Sequence, residues 1–592
     1  MGIRRIMLQP AAAALTACSL LFVAGVAAAA GSETPASIPM RDGIVLRADL
    51  LLPAGKGPFP VLVYRTPYGE KNALKEYTTF ESARARGYAV VVQDVRGRYG
   101  SDGVFVPYQN EGRDGYDTIE WAARQPWSNG KVGTFGLSYP GAVQWLAAVE
   151  GPPHLQAMVP AMTFSSHRNF FYASGAFDLS WIEWIWDNIA PDVRVKLGLP
   201  GPQTSADAVA VWKRSASDME SVLPLDALPE LRGVAPYYYE WLRHPPEDPW
   251  WNWADLGGKY GRTGAAVLNL SGWYDEHYGP EGAVTNFEGL LEARGRQAGH
   301  GQASRTSLLL GPWIHGVKST QTPQAGERKF PASAAIDYDK TVLDWMDHWL
   351  RGIDNGVDRR PAVRYYVMGA DAWRDAASWP PASKATPFYL GDAAPGRPGP
   401  LSESAPKADG YSAFVSDPLH PVTDRYAEEL GAHDYRELGA RKDLLTFETA
   451  PLAKDTELTG AIDSHIFVSC DCRDLDLWVR LYDVAPDGAV WNEMSAGNEL
   501  RRASYRDIAK GRRLLEPGQI YAIDISGPVT SNVFKQGHRI RVQVSGQFFS
   551  YFSRNLQSGD SETSSANAHA ATIRIYHDPD HPSHVVLPVV AH

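Results

Sequence analysis

Short apolar runs that alternate with segments of helical length constrain this chain more than any other feature. Each run has the length of one buried strand, and the runs lie at residues 60–64, 88–92, 131–135, 265–270 and 306–310. Strands separated by helices are typical of βαβ units, in which a parallel sheet is covered on both faces. The sequence therefore predicts an α/β fold with a mainly parallel sheet, which we assign to residues 31–360.

Two other parts of the chain have a different character. Residues 163–253 interrupt the strand pattern, are rich in Trp and have a helical pattern, so we expect them to form a cap over the sheet. After residue 360 polar and apolar residues alternate, as in half-buried antiparallel strands; the clearest examples are residues 521–526, 539–545 and 572–576. We therefore predict a C-terminal all-β domain, a jelly-roll sandwich, over residues 361–592.

The first 30 residues have the pattern of an export signal. Arg4 and Arg5 precede an apolar run that ends in three alanines, so we expect cleavage after Ala30 and a periplasmic or secreted protein. Residues 15–18 also match a lipoprotein signal that would attach lipid at Cys18, and this alternative stays open. After the signal no apolar run reaches the ~18 residues that a membrane span requires.

Charge and cysteine content exclude some classes of partner and cofactor. The 57 basic residues against 68 acidic ones give a net charge of −11, so we do not expect nucleic acid as a partner. Cys470 and Cys472 are separated by one residue, and we expect both thiols to be reduced because a bridge would close a very tight ring. The sequence does not determine the oligomeric state.

The strongest chemical signal follows the third apolar run. Residues 135–141 read FGLSYPG, so Ser138 lies on a glycine-flanked turn between a strand and a helix. A serine on such a turn has an exposed hydroxyl, and the next backbone N–H can bind a carbonyl oxygen. Pro140 stands where the usual pattern has glycine, and Gly141 comes one residue later. A helix-capping serine is the alternative interpretation.

A nucleophilic hydroxyl needs a base and a group that orients the base. Asp275 and His315 each follow a predicted strand, and their order after Ser138 is the one expected for a sheet of this kind. Because ligands bind beyond the carboxyl ends of parallel strands, we expect the three side chains to meet there as a catalytic triad.

Taken together, these motifs resemble those of the cocaine esterase and X-Pro dipeptidyl-peptidase family of α/β-hydrolases. Residues 136–141, 272–275 and 311–316 are similar to the family's three catalytic segments. The resemblance implies a hydrolase sheet, a helical cap and a C-terminal jelly roll. It also implies an oxyanion hole formed by the hydroxyl of Tyr68 and the N–H of Tyr139, and no metal or organic cofactor.

The resemblance leaves the substrate open between esters, amides and short peptides. In the α-amino acid ester hydrolases of the family, which bind a free amino group, acidic residues stand two and three positions after the catalytic aspartate, where this chain has His277 and Tyr278. Asp178, Glu183 and Glu276 could substitute, but we expect them to be surface charges. We therefore expect an esterase or amidase for uncharged or aromatic acyl groups, with an X-Pro dipeptidyl-peptidase or an α-amino acid ester hydrolase as alternatives.

Two alternatives from other classes remain. The same architecture could serve as a non-catalytic exported binding protein, although the presence of a complete candidate triad argues against it. A metallohydrolase could use His277, His300 or His315, but these residues lack the ligand spacing of known zinc motifs.

Overall fold

A computed structural model of the protein describes residues 33–296, 305–495, 497 and 499–591. The predicted export signal, with Cys18, and His300 lie outside the described residues. Within them, no helix combines the length and the apolar character that crossing a bilayer requires.

Residues 33–376 contain fourteen of the described strands. In chain order they are β1 (Glu33–Pro39), β2 (Val45–Leu51), β3 (Phe59–Thr66), β4 (Ala89–Asp94), β5 (Ser128–Leu137), β6 (Leu155–Ala161), β7 (Tyr172–Ala173), β8 (Ala176–Phe177), β9 (Ala266–Tyr274), β10 (Thr306–Ile314), β11 (Gln324–Ala325), β12 (Arg328–Lys329), β13 (Val363–Val367) and β14 (Ala372–Ala376).

Ten of these strands form one twisted sheet in the order β1-β2-β4-β3-β5-β6-β9-β10-β13-β14. The seven strands from β4 to β13 are parallel, and antiparallel strands flank them at both edges. Successive side chains of β3 enter two different cores, since Val61 and Val63 pack on one face and Leu62 on the other. Both faces of the sheet are therefore buried, and the predicted α/β fold is confirmed.

Helices cover the sheet and form the cap. They are α1 (Glu70–Glu76), α2 (Thr79–Ala85), α3 (Glu111–Ala123), α4 (Tyr139–Ala148), α5 (Ser180–Trp184), α6 (Ala190–Leu197), α7 (Ser205–Glu220), α8 (Pro236–Arg243), α9 (Tyr278–Arg296), α10 (Val317–Thr320) and α11 (Tyr338–Arg351). Helices α5 to α8 and the short β7–β8 hairpin occupy the segment between β6 and β9, where the sequence predicts the cap.

The rest of the chain is an all-β domain. Its strands are β15 (Lys384–Leu390), β16 (Gly399–Ser402), β17 (Tyr411–Ser416), β18 (Leu444–Glu448), β19 (Thr456–Ala461), β20 (Asp463–Cys470), β21 (Asp476–Val484), β22 (Val490–Asn492), β23 (Leu500–Arg502), β24 (Tyr521–Ile525), β25 (Val529–Phe534), β26 (Arg539–Ser545), β27 (Ala571–Tyr576) and β28 (His584–Val589).

These strands pack around one core of their own. Phe388 of β15 and Ile573 of β27 lie in the same buried cluster as Phe447 of β18 and Val542 of β26. The strands form a single connected path that runs from β17 to β22, with four further strands paired beside it. A β-rich C-terminal domain with a separate core is thus confirmed.

The first sheet extends further along the chain than the predicted boundary at residue 360. Leu308 to Leu310 of β10 pair with Val363 to Tyr365 of β13, and β13 pairs in turn with β14. Strand β13 lies beside the edge strand β14, and four of its five residues are buried, with Arg364 exposed. Residues 363–376 therefore pair with the first sheet.

The expectation of reduced thiols is wrong. Cys470 and Cys472 form a disulfide, with their Cα atoms 5.2 Å apart. This separation lies within the usual range for disulfides. The bend that follows β20 at Cys470 brings the two side chains together despite the single residue between them.

Candidate active site

Ser138 occupies the turn between β5 and α4. Strand β5 ends at Leu137, α4 begins at Tyr139, and Ser138 between them has φ 66° and ψ −127°. A positive φ is unfavourable for a residue with a side chain and is a mark of the nucleophile turn in this class of sheet. The chain thus holds Ser138 in the strained conformation that exposes a hydroxyl at the end of a strand.

The displaced glycine of this segment has a steric role. A Cβ atom at Gly141 would lie 2.5 Å from the carbonyl oxygen of Ala161, in β6. Only glycine lets the first turn of α4 pass so close to the neighbouring strand. Gly141 therefore performs the packing role that the usual pattern gives to the preceding position.

Asp275 and His315 form a direct hydrogen-bonded pair. Asp275 follows β9, is 0% exposed, and its Oδ1 atom lies 2.5 Å from Nδ1 of His315, which follows β10. The other oxygen of Asp275 accepts a hydrogen bond of 2.7 Å from the hydroxyl of Ser271. The carboxylate is thus fixed, and it orients the imidazole through Nδ1.

Burial and the neighbouring acidic groups have opposite effects on the pKa of His315. Burial lowers the pKa of His315, but the charge and hydrogen bond of Asp275 and the charge of Glu276 outweigh it, so the net pKa is raised above its ordinary value. A stronger base is better suited to take a proton from a hydroxyl.

Tyr68 lies beside Ser138, in the loop that follows β3. Burial raises the pKa of Tyr68, although hydrogen bonds with Trp184 and Ser138 act in the opposite direction. The indole N–H of Trp184 donates to the Tyr68 oxygen at 3.0 Å, which leaves the phenol proton available to another acceptor. Arg98 ties this loop to the cap, since it donates to the carbonyls of Pro67 and Asn188.

Tyr139, the residue after Ser138, is anchored by a buried ion pair. Its hydroxyl donates to Oε1 of Glu111 at 2.8 Å, and Oε2 of Glu111 lies 2.8 Å from the guanidinium of Arg65. Sequence reasoning missed this network, because Glu111 and Arg65 lie far from Ser138 in the chain. The network holds the ring of Tyr139 in place, and the backbone N–H of the same residue would face a bound carbonyl oxygen.

Three of the five predicted site residues line one cavity of about 310 Å³, between the sheet and the cap. Ser138, Tyr68 and His315 line it. Asp178, Glu183, Asp187 and Glu276 line it as well. The expectation of a surface charge is therefore wrong for Asp178, which is 2% exposed, whereas Glu183 and Glu276 are half-buried in the cavity wall. Asp187 was not predicted.

Burial makes these carboxyl groups costly to ionise. Burial is the main cause that raises the pKa of Asp178 to about 8, of Glu183 to about 8 and of Asp187 to about 6. Asp178 is 2% exposed, and its Oδ2 atom, buried without a hydrogen bond, lies 3.4 Å from Nε2 of His277. A bound cation would favour the ionised forms.

Two residues of the metal alternative, His277 and His315, are described by the structure, and they belong to no candidate metal cluster there. His277 is buried against Phe552, and burial lowers its pKa to about 3. In the described part of the chain, no group of three or more His, Cys, Asp or Glu side chains could hold a metal ion.

Comparisons with known proteins assign most of the chain to one family. Residues 42–317 match the X-Pro dipeptidyl-peptidase (S15) family, and residues 355–586 match the X-Pro dipeptidyl-peptidase C-terminal non-catalytic domain. The chain is 33% identical to the cocaine esterase of Rhodococcus sp. strain MB1 Bresler, over 93% of this chain and 97% of that protein. The chain belongs to the cocaine esterase and X-Pro dipeptidyl-peptidase family.

Two solved structures have the same fold. An α-amino acid ester hydrolase superimposes with a TM-score of 0.80 at 25% identity, over 96% of this chain and 98% of that chain. An aminopeptidase from a marine sediment archaeon, Thaumarchaeota archaeon, superimposes with a TM-score of 0.76 at 22% identity, over 95% and 97% of the two chains. The predicted enzyme class, a serine hydrolase of this family acting as an esterase or peptidase, is confirmed.

Proposed function

We propose that Ser138, His315 and Asp275 are the catalytic triad with which this hydrolase cleaves carboxylic ester or amide bonds. The observation that carries the proposal is the 2.5 Å contact between Asp275 and His315 at the edge of the cavity that Ser138 also lines. All three residues follow the carboxyl ends of parallel strands, where α/β sheets bind ligands.

The reaction proceeds by two acyl transfers. His315 takes the proton of Ser138 as the serine oxygen attacks the substrate carbonyl, and Asp275 offsets the charge of the imidazolium. The Tyr68 hydroxyl and the Tyr139 N–H bind the oxyanion. His315 then gives its proton to the leaving oxygen or nitrogen, the bond to that atom breaks, and water releases the acid from Ser138 by the same sequence.

A fluorophosphonate probe tests the nucleophile directly. We expect the protein to be labelled with and without a chelator, and we expect Ser138→Ala to abolish labelling and ester hydrolysis together. Ser180→Ala is the matched control, because Ser180 is a second serine on the same cavity wall. Turnover that a chelator removes, without labelling, would favour a metal enzyme. The absence of both labelling and turnover would favour a binding protein.

The carboxylate-lined cavity favours a substrate with a cationic group near the scissile bond. Asp178, Glu183 and Asp187 come from the cap and Glu276 from the loop after β9, so they surround the space next to Ser138 from two elements. An ammonium group there would pair with these carboxyl groups and favour their ionised forms, which burial alone disfavours. This observation favours the aminoacyl ester and dipeptidyl-peptidase alternatives over the uncharged acyl group expected from the sequence.

A pair of methyl esters that differ only in the amino group tests this substrate class. We expect L-phenylalanine methyl ester to exceed methyl 3-phenylpropionate in kcat/KM by about 10- to 100-fold, the worth of one or two charge-assisted hydrogen bonds. Glu183→Gln should reduce that ratio. Glu230→Gln, at an exposed carboxylate of the cap, is the control and should leave it unchanged. Equal rates for the two esters would exclude amine recognition.

We also propose that the protein is exported and cleaved after Ala30. The Cys470–Cys472 disulfide supports this location, because such bonds persist mainly in oxidising compartments. Expression of the whole chain in a bacterial host should give a secreted or periplasmic protein that begins at Gly31, as measured by intact mass. A membrane-bound product with lipid on Cys18 would overturn simple cleavage.

A further inference from the structure

A cavity of about 450 Å³ lies on the face of the first sheet that packs against α11. Its floor is formed by β9, β10, β13 and β14, and its walls are α11 and residues 357–362. It shares no lining residue with the cavity that contains Ser138. Leu309 of the floor precedes His315 by six residues, which is about 20 Å at the usual rise of a strand. A molecule bound here would therefore not touch the proposed triad.

The floor of this cavity changes from apolar to charged toward the edge of the sheet. Leu309 of β10 is in register with Arg364 of β13, and Arg364 is in register with Asp375 of β14. Residues in register on neighbouring strands direct their side chains to the same face, so these three form one row. Leu268 of β9 lies on the inner side and belongs with Leu309 to the buried cluster of this face. The floor thus has an apolar inner end and a charged outer end.

The walls add apolar surface at the inner end. On α11, the ring of Trp345 is 3% exposed, and its N–H already donates to the carbonyl of Ala266 at 3.4 Å. The hydroxyl of Thr341 likewise donates to the Asp337 carbonyl at 2.7 Å. Val357, on the other wall, is buried. The inner part of the cavity therefore suits the apolar part of a ligand, and the polar recognition must come from the outer end.

Two arginines lie at the outer end. Arg364 is 3.3 Å from Asp375, and its guanidinium lies over the ring of Trp373. Arg360 is exposed and, within the described residues, takes part in no ion pair. Asp375 is the one acidic residue among the described residues of the lining, so the two arginines leave one net positive charge. Ser307 adds a hydroxyl to the same lining.

We propose that this cavity is a binding site for a monocarboxylate with an unbranched apolar chain, such as a medium-chain fatty acid. The chain packs against Leu268, Leu309 and Trp345, and the carboxylate accepts hydrogen bonds from the guanidinium groups of Arg360 and Arg364. One negative charge balances the net charge of the lining. The net charge of the whole protein is −11, so this end of the cavity is a local exception on a surface that generally repels anions. The proposal does not depend on the proposed triad.

Calorimetric titration of the whole protein with hexanoate, octanoate and decanoate tests the proposal. We expect one site whose Kd falls by about two- to fourfold for each added methylene, because each methylene is removed from water. Octanamide has the same chain without the charge and should bind about tenfold more weakly than octanoate. No binding of octanoate, or equal affinity for octanoate and octanamide, would overturn the proposal.

Arg360→Gln tests the recognition of the carboxylate. We expect this variant to bind octanoate about 5- to 10-fold more weakly and octanamide as before, since a charge-assisted hydrogen bond is lost. Arg425→Gln, at an exposed arginine of the C-terminal domain outside the lining, is the control and should leave both affinities unchanged. Full affinity for octanoate in Arg360→Gln would mean that the carboxylate is bound elsewhere, and the proposal would fail.

Thr341→Trp tests the position of the chain. This half-buried residue of α11 lines the cavity, so a large ring there should occupy the space of the chain and abolish octanoate binding. Lys340→Trp, at the exposed neighbouring position outside the lining, is the control. Hydrolysis of a p-nitrophenyl ester shows that each variant is folded. Equal octanoate affinity in the two folded variants would overturn the assignment; if Thr341→Trp does not fold, the result for Arg360→Gln decides.

Discussion

At the scale of single residues, the site depends on a few hydrogen bonds with defined direction. Trp184 donates to Tyr68, so the phenol proton is free to act on a substrate oxygen. Ser271 donates to Asp275, so both oxygens of that carboxylate have partners and the His315 ring has one preferred orientation. These contacts hold the polar groups in place before the substrate arrives, and this preorganisation gives such groups their effect on a transition state.

Tyr68→Phe should lower kcat by about 10²–10³ and leave KM nearly unchanged, since the hydroxyl acts on the charge that develops in the transition state. Steady-state kinetics with a p-nitrophenyl ester measures both constants. Tyr108→Phe removes a hydroxyl from another tyrosine of the same cavity and should have little effect. An unchanged kcat in Tyr68→Phe would mean that the oxyanion is held by other donors.

Asp178 should make the folded protein less stable as the pH rises. Burial raises its pKa to about 8 in the folded state, whereas an unfolded chain has a pKa of about 3.9. Between these values the folded form holds a proton that the unfolded form has released, so stability falls with increasing pH. Asp178→Asn removes this effect. Its Tm should therefore exceed that of the natural protein at pH 8 by more than it does at pH 4.

Thermal unfolding over this pH range measures the difference. His277 faces Asp178 and titrates in the unfolded chain as well, but it does so in both proteins and cancels from the comparison. A Tm difference that does not depend on pH would show that Asp178 ionises normally in the folded protein.

At the scale of the elements, the close approach of α4 to β6 sets the position of Ser138. A Cβ at Gly141 would meet the Ala161 carbonyl oxygen at 2.5 Å and Cβ of Thr163 at 3.2 Å. The contact with the carbonyl oxygen is closer than packed atoms tolerate, and a backbone oxygen cannot rotate away. Helix α4 would therefore have to move, and Ser138 and the Tyr139 N–H would move with it.

Gly141→Ala should lower the free energy of unfolding by about 1–3 kcal/mol, the usual cost of overpacking, and should lower kcat as well. Gly264→Ala is the control, because a Cβ at that position meets nothing within 4 Å. Urea unfolding and ester kinetics on the two variants make the comparison. Equal stability for both would contradict the close packing of α4 on β6.

At the scale of the whole molecule, the C-terminal domain supports the cap. Phe177 and Leu179, on either side of Asp178, exchange backbone hydrogen bonds with Ser553 and Tyr551 of that domain. The carbonyl of Glu562 also accepts from the N–H of Leu225 in the cap. Hydrogen bonds from the C-terminal domain thus hold the segment that brings Asp178 to the cavity. The second domain supports the site although none of its residues lines the cavity that contains Ser138.

A buried ion cluster is central to this support. Arg502 contacts Asp476 at 2.9 Å and Glu562 at 2.5 Å, and all three side chains are nearly inaccessible. Arg502→Ala leaves two buried carboxylates without their cation, so we expect a loss of about 3–5 kcal/mol in unfolding free energy and a weaker discrimination of amino esters. Arg397→Ala removes an exposed pair with Asp392 and should cost about 0–1 kcal/mol. Similar losses for both would contradict the role of the cluster.

The sequence was most informative where function follows local order in the chain. Ser138, Asp275 and His315 are recognisable because each follows an apolar strand, and parallel strands bring their carboxyl ends to one edge. The strands proved longer than predicted, since β9 continues to Tyr274 and β10 to Ile314 through apolar residues broken by glycine. Asp178 and Asp187 could not be assigned to the cavity in this way, because no local pattern in the cap segment indicates whether a charged side chain faces the cavity or the solvent.

The sequence alone therefore determined the α/β sheet, the β-rich C-terminal domain and the loops that hold the candidate triad. These depend on hydrophobic periodicity and turn residues, which act over a few neighbouring positions. Only the tertiary structure decided which carboxylates line the cavity of Ser138 and how Glu111 and Arg65 anchor Tyr139. Burial and cavity shape arise from segments distant in the chain, and no local pattern encodes them.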